Sequence, residues 1–210
     1  MCGIVGFFSA DGCNHQNIVE DMMDAIKHRG PDDKGFWHNS ESNVYLGHRR
    51  LSVVDLSSLG HQPMTSCSDR YVIVFNGEIY NHLLLRKSLK KSGVNITWRG
   101  HSDTETLLAC IDTWGLKKTI QKCSGMFAIA LFDKKHNSIY LVRDRMGEKP
   151  LYYGIQNGVF LFGSELKALK KHPDFQGEID RNSLALQLKY ISPRLAVLSS
   201  IRLPPINKAP

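Results

Sequence analysis

The chain has 210 residues, 42% hydrophobic and 22% charged, which suits one large packed domain and argues against wholesale disorder. No run approaches the ~18 consecutive apolar residues of a membrane span, and the apolar start has no basic leader and meets Asp11, against a signal peptide. The formal charge of +7 is spread over short lysine pairs rather than clustered, and no RNA-binding aromatic motif or zinc finger occurs, so nucleic acid is not an expected partner.

In chain order, residues 3–8 read as a buried strand. Residues 16–28 read as a helix with Ile18, Met22 and Ile26 on one face, broken by His28-Arg29-Gly30-Pro31-Asp32-Asp33. Short strands are expected at 34–38, 44–48 and 50–54. A strong apolar strand at 71–75 ends on Asn76-Gly77. Helices follow at 82–91 and 103–114, then strands at 127–132, 138–143, 151–155 and 159–162. Asn157-Gly158 between the last two has the signature of a type I′ hairpin. Helices are expected at 165–171 and 180–190. Strands outnumber helices and many are sequential neighbours, which favours antiparallel sheets with helices packed outside. After Ser192 the pattern fades into a proline-rich tail that reads as a linker cut short, so the domain is taken as 1–192 and the linker as 193–210.

The five cysteines, at 2, 13, 67, 110 and 123, are odd in number and widely spaced, with no Cys-x-x-Cys pair. They suit neither a disulfide framework nor a zinc site, and a reducing, cytoplasmic setting fits best. Cys2 stands apart, because loss of Met1 would put a thiol and a free α-amine on one residue. Thiols and α-amines ordinarily titrate at about 8.5 and about 8, so the amine can serve as the thiol's own base. Taken alone, Cys2 reads better as a buried strand cysteine that happens to be second. Asn76-Gly77 reads equally as a simple turn or as a side-chain amide and a backbone N–H aimed at one oxyanion. Arg50, in an apolar strand context, suits either a salt bridge to Asp55 or the grip on a ligand carboxylate. Asp103, in Ser102-Asp103-Thr104-Glu105, suits a capping box or a carboxylate that receives an ammonium group.

The ordered motifs give these fragments one frame. They are Met1-Cys2-Gly3-Ile4, His28-Arg29-Gly30-Pro31-Asp32, Arg50-Leu51-Ser52-Val53-Val54-Asp55, Gln62-Pro63-Met64, Phe75-Asn76-Gly77-Glu78, Ser102-Asp103-Thr104-Glu105 and Gly147-Glu148-Lys149-Pro150-Leu151-Tyr152-Tyr153. With them the chain resembles the N-terminal glutaminase domain of glutamine-dependent asparagine synthetases over nearly its whole length. The resemblance implies an α+β, N-terminal nucleophile hydrolase fold, a four-layer αββα sandwich of two antiparallel sheets. It implies Cys2 as nucleophile, and Asn76 with the Gly77 backbone as oxyanion hole. It also implies a glutamine pocket built from Arg50, the backbone of Leu51, Ser52, Val53 and Val54, then Glu78 and Asp103. No cofactor or metal is expected in this chain. ATP and magnesium belong to a synthetase domain whose Ser-Gly-Gly-x-Asp-Ser loop is not found here. The expected partners are glutamine and that synthetase domain or subunit, with self-association into a homodimer as the other outcome for the face that would meet it. The alternatives are a catalytically silent module that binds glutamine or a partner, and an amidotransferase of another biosynthetic pathway.

Overall fold

Strand β1 (Gly3–Phe8) is buried along its whole length, which is why it reads as a continuous apolar run. Its side chains still alternate: Ile4 and Phe8 join one core layer, Val5 and Phe7 another. The structure, a computed structural model, describes residues 1–9, 15–53 and 55–177 and the backbone of 199–202. In it β1 is the middle of a sheet ordered β2-β3-β1-β9-β8, with β2 Asp33–Asn39, β3 Val44–Arg50, β8 Tyr152–Gln156 and β9 Val159–Gly163. The second sheet is ordered β10-β7-β6-β5-β4, with β4 Met64–Thr65, β5 Tyr71–Ile79, β6 Gly125–Asp133, β7 Ser138–Arg143 and β10 Ser199–Arg202. All the pairings are antiparallel.

Three apolar layers follow from the period-2 alternation of the strands. Between the sheets, Ile4, Phe8, Leu46 and Phe162 meet Val72, Val74, Ala128 and Phe132. Outside the first sheet, α1 (Gln16–Ala25) and α5 (Leu166–Leu169) cover Val5, Phe7 and Leu161 with Val19, Met22, Met23 and Leu169. Outside the second, α2 (His82–Lys91) and α3 (Asp103–Trp114) cover Ile73, Phe75, Ile129 and Leu131 with Leu85, Leu89, Leu107 and Ile111, while Ile120 of α4 (Leu116–Lys122) packs against the same cluster. Each fully buried large side chain contributes about 1.5–3 kcal/mol, so the middle layer binds the two sheets into one unit. The architecture is the αββα sandwich that was expected.

Several boundaries differ from the sequence reading, each for a local reason. The expected strands 44–48 and 50–54 are one strand that ends at Arg50, and Leu51 and Ser52 give their N–H groups to Cys2 Sγ and Asp32 Oδ2 instead of to a ladder. Asn76-Gly77 is not a turn: β5 runs on to Ile79 because β6 continues to pair with it, Gly77 opposite Phe127 and Ile79 opposite Gly125. The helix expected to reach 28 gives way after Ala25 to a 3₁₀ turn at Lys27–Arg29. Helix 165–171 contracts to Leu166–Leu169, and α4 and the two-residue β4 were not anticipated. In the stretch read as linker, Ser199–Arg202 pairs with β7. The Asn157-Gly158 hairpin is as expected, with both residues at positive φ, 48° and 80°. The expected helix 180–190, Val54 and Cys13 lie outside the described residues.

Candidate active site

The alternation that builds the core also aims the site. On β3, Val44 and Leu46 face the other sheet, so His48 and Arg50 face it too. On β5, Val72 and Val74 set the same direction for Asn76. On β1, Ile4 sets it for Cys2. The β1–β3 register pairs Gly3 with Arg49, and one further step sets Cys2 beside Arg50. Cys2, Arg50 and Asn76 therefore meet at one end of the inter-sheet layer. They line a cavity of about 180 Å³ with Leu51, Val53, Gly77, Glu78 and Asp103.

The candidate oxyanion donors lie along an unpaired strand edge. Strand β4 pairs only with Val72 and Ile73, which leaves the rest of that edge of β5 without a neighbouring strand. Side chains take the ladder's place. The Phe75 N–H donates to Gln62 Oε1 at 2.7 Å, and the Ile79 N–H donates to Asp103 Oδ2 at 2.9 Å. His48, buried and pushed down to about pKa 4 by desolvation, is neutral and donates from Nε2 to the Phe75 carbonyl at 3.1 Å. Gly77 lies midway between Phe75 and Ile79 and by parity faces the same edge. Its cross-strand partner Phe127 turns both backbone groups to Asp144, at 3.2 and 2.8 Å, so Gly77 makes no ladder bond to β6. The neighbouring Asn76 is 1% exposed, and its Nδ2 has no hydrogen-bond partner among the described residues. A buried amide donor is almost always paired, so an unpaired one at a cavity marks a candidate site for an incoming acceptor.

Cys2 is fixed from both sides. Its Sγ lies 3.4 Å from the Leu51 N–H and 3.6 Å from the Leu51 carbonyl. Its own carbonyl accepts from Arg29 Nε at 3.0 Å, and Arg29 is held by Glu165 at 2.9 Å. Burial works against the Glu165 charge, yet hydrogen bonds from Arg29, Lys167 and His28 bring its pKa down to about 2. Met1 is 59% exposed, lies outside β1 and lines the cavity, where Lys149 Nζ lies 3.4 Å from its Sδ.

The two charged candidates have different settings. Arg50 donates to the carbonyls of Ser57, at 2.8 Å, and of Asp55. The anticipated ion pair with the Asp55 carboxylate is not formed; that carboxylate accepts from Ser57 N and Oγ and from His101 N, which hold its pKa low. Arg50 thus pins the chain at Asp55 and Ser57, and the residue also lines the cavity. Burial pushes the Asp103 pKa up, and the Ile79 N–H bond only partly offsets this. Ser102 caps α3 through Glu105 N at 3.1 Å, but Glu105 turns its carboxylate to the N–H groups of Arg99 and Gly100, so half of the capping box forms.

A cavity that holds a thiol, an unpaired amide donor, an arginine and a buried carboxylate has the features of an amide-hydrolysing site for an amino acid. The profile of the family described as the glutamine amidotransferase domain matches residues 1–205. This chain belongs to that family. It is 40% identical over 189 residues to glutamine-hydrolysing asparagine synthetase 3 of Bacillus subtilis, covering 88% of this chain and 30% of that one. It is 38% identical over 196 residues to asparagine synthetase 1 of the same organism, covering 91% of this chain and 29% of the relative. The chain therefore spans about a third or less of these relatives. Glutamine phosphoribosylpyrophosphate amidotransferase from B. subtilis has the same fold, with a TM-score of 0.67 at 19% identity over 80% of this chain and 43% of that one.

Within this amidotransferase domain, eight of the ten residues singled out by sequence line the cavity. Ser52 does not line the cavity, since its N–H is held by Asp32 at 2.8 Å, and Val54 lies outside the described residues. The sequence reading missed Gln62, Thr104 and Lys149 as site residues, although all three lie within the motifs quoted above. Lys149 is 6% exposed and has no carboxylate partner among the described residues, an unusual state for a lysine. No group of His, Cys, Asp and Glu among the described residues could hold a metal ion, and no described helix is long and apolar enough to cross a membrane.

Proposed function

We propose that this domain hydrolyses glutamine to glutamate and ammonia with Cys2 as nucleophile once Met1 is removed. The observation that carries the reading is the buried Asn76 amide, unpaired among the described residues, beside Gly77 in the cavity that Cys2 also lines. Arg50 receives the α-carboxylate and Asp103 the α-ammonium, with Glu78 and the backbone of 51–54 along the substrate. The freed α-amine of Cys2 takes the thiol proton as sulfur attacks the side-chain amide carbon. Asn76 Nδ2 and the Gly77 N–H hold the oxyanion. The same proton passes to the leaving nitrogen, and ammonia departs from a γ-glutamyl thioester. Water, deprotonated by the amine, then releases glutamate and restores the thiol. With Met1 in place the Cys2 nitrogen is an amide and no base, so retained Met1 would leave a glutamine-binding module.

The relatives' names supply the wider reading. The ammonia serves asparagine formation in a synthetase domain or subunit, where ATP and magnesium act, in a reducing cytoplasm. The test mixes protein of verified Met1-free mass with glutamine, aspartate, ATP and magnesium. The expected products are glutamate and free ammonia, formed equally without ATP, and no asparagine. Wild-type glutamate release by Cys2→Ala would refute the mechanism.

A further inference from the structure

We infer that Gln62 is a positioning residue that sets the oxyanion hole and ties it to the carboxylate that receives the substrate's ammonium group. The inference deepens the glutamine reading above and rests on it. Gln62 is 5% exposed and lies just beyond the short 3₁₀ turn at Ser58–Gly60. Its Oε1 accepts the Phe75 N–H at 2.7 Å and so fixes the peptide one step before the one that leads into Asn76. Its Nε2 donates to Thr104 Oγ1 at 3.3 Å, and Thr104 follows Asp103 in the first turn of α3. From the inter-sheet side His48 holds the Phe75 carbonyl at 3.1 Å. The Phe75 backbone is thus clamped at both polar groups by side chains.

Geometry explains why a clamp is needed here. Catalytic donors must be fixed before charge develops, because a shift of about 1 Å can cost roughly 100-fold in rate. Strand β6 cannot fix the free edge of β5, since it bonds to the other one. At Ile79 the edge is fixed by Asp103, and at Phe75 by Gln62. Gly77 lies between these two anchors. Both anchors lead to α3, one directly and one through Thr104. A substrate ammonium that settles on Asp103 therefore loads the same scaffold that aims Asn76 and Gly77.

The experiment compares three variants of Met1-free protein. Gln62→Met keeps the side chain's length and removes both bonds. Thr104→Val removes only the anchor, and Thr104→Ser keeps the hydroxyl. Per folded molecule, Gln62→Met should lower kcat about 10- to 100-fold with KM within about threefold, since transition-state contacts alone are disturbed. Thr104→Val should lower kcat less, and Thr104→Ser should restore it. The Phe75 amide should exchange slowly in the wild type and fast in Gln62→Met, a readout that needs no activity. An unchanged kcat in Gln62→Met, or a protected Phe75 amide in that variant, would overturn the inference while glutamine hydrolysis stood. Absence of glutamate from the wild type would strike the glutamine reading instead, and Phe75 exchange would still decide whether the clamp exists.

Discussion

Asn76→Ala should separate catalysis from stability, because the proposed oxyanion role draws on the amide while the fold draws little on it. Removing one oxyanion donor typically lowers turnover by about 100- to 1,000-fold, about 3–4 kcal/mol of transition-state stabilisation. The stability ledger differs. Asn76 Nδ2 is buried and unpaired, a state that costs a fold about 1–3 kcal/mol. Alanine relieves that cost and leaves a small void of similar penalty next to a solvent-accessible cavity. The net change should lie within about 1 kcal/mol, or roughly 2–4 °C in Tm for a domain of this size. A steady-state glutaminase assay and a thermal melt on the same preparation measure both quantities. kcat should fall with KM nearly constant while the melt barely moves. A Tm lowered by much more than this range would show that Asn76 holds the fold together. A raised KM at normal kcat would make it a ground-state contact.

Cys2→Ala should abolish glutamate release, whereas Cys67→Ala and Cys123→Ala should retain it. Desolvation pushes the Cys110 thiol to about pKa 12 and the half-buried Cys123 to about 11, so mass mapping after brief alkylation at neutral pH should find Cys2 and exposed Cys67 modified but neither Cys110 nor Cys123. Asp103→Asn keeps an oxygen for the Ile79 N–H but removes the charge, so KM for glutamine should rise about 10- to 100-fold, the worth of a charge-assisted bond. Burial raises the Asp103 pKa, so kcat/KM should be full above that raised value and fall as pH drops through it, a limb that Asp103→Asn lacks. The sign for stability is opposite: a carboxyl with a raised folded pKa stabilises most below its unfolded value and loses that contribution as pH rises through the folded one. The melting temperature of Asp103→Asn at neutral pH should therefore equal or exceed that of the wild type.

The sandwich was legible because its strands are long, apolar and joined by short turns, and because Asn157-Gly158 can only turn one way at positive φ. The ends of elements were less legible where side chains replace backbone partners. Leu51 leaves its strand because a thiol from forty-nine positions away takes its N–H, which no local pattern records. Asn76-Gly77 carries the signature of a turn, yet the nine-residue strand β6 draws it into the sheet. The roles proposed for Cys2 and Asp103 rest on the motif set rather than on local chemistry. Gln62 was hidden for a related reason. A buried glutamine that serves backbone groups has the same sequence as one that faces water, and only the missing ladder partner of Phe75 reveals its task.

An open strand edge is ordinarily a hazard, since unpaired N–H groups invite another strand. Among the described residues, side chains cover this edge at Phe75 and Ile79 and leave Gly77 between them. Gly77 has no side chain because a Cβ would lie 2.7 Å from the Phe127 Cα and force β5 away from β6. That close approach keeps the strand straight through Asn76-Gly77, and straightness is what turns the Asn76 amide into the cavity and the Gly77 N–H to the free edge in consecutive residues. A turn at the same dipeptide would give neither direction. The glycine is thus required by packing against β6, and the two donors follow from the extended backbone it permits.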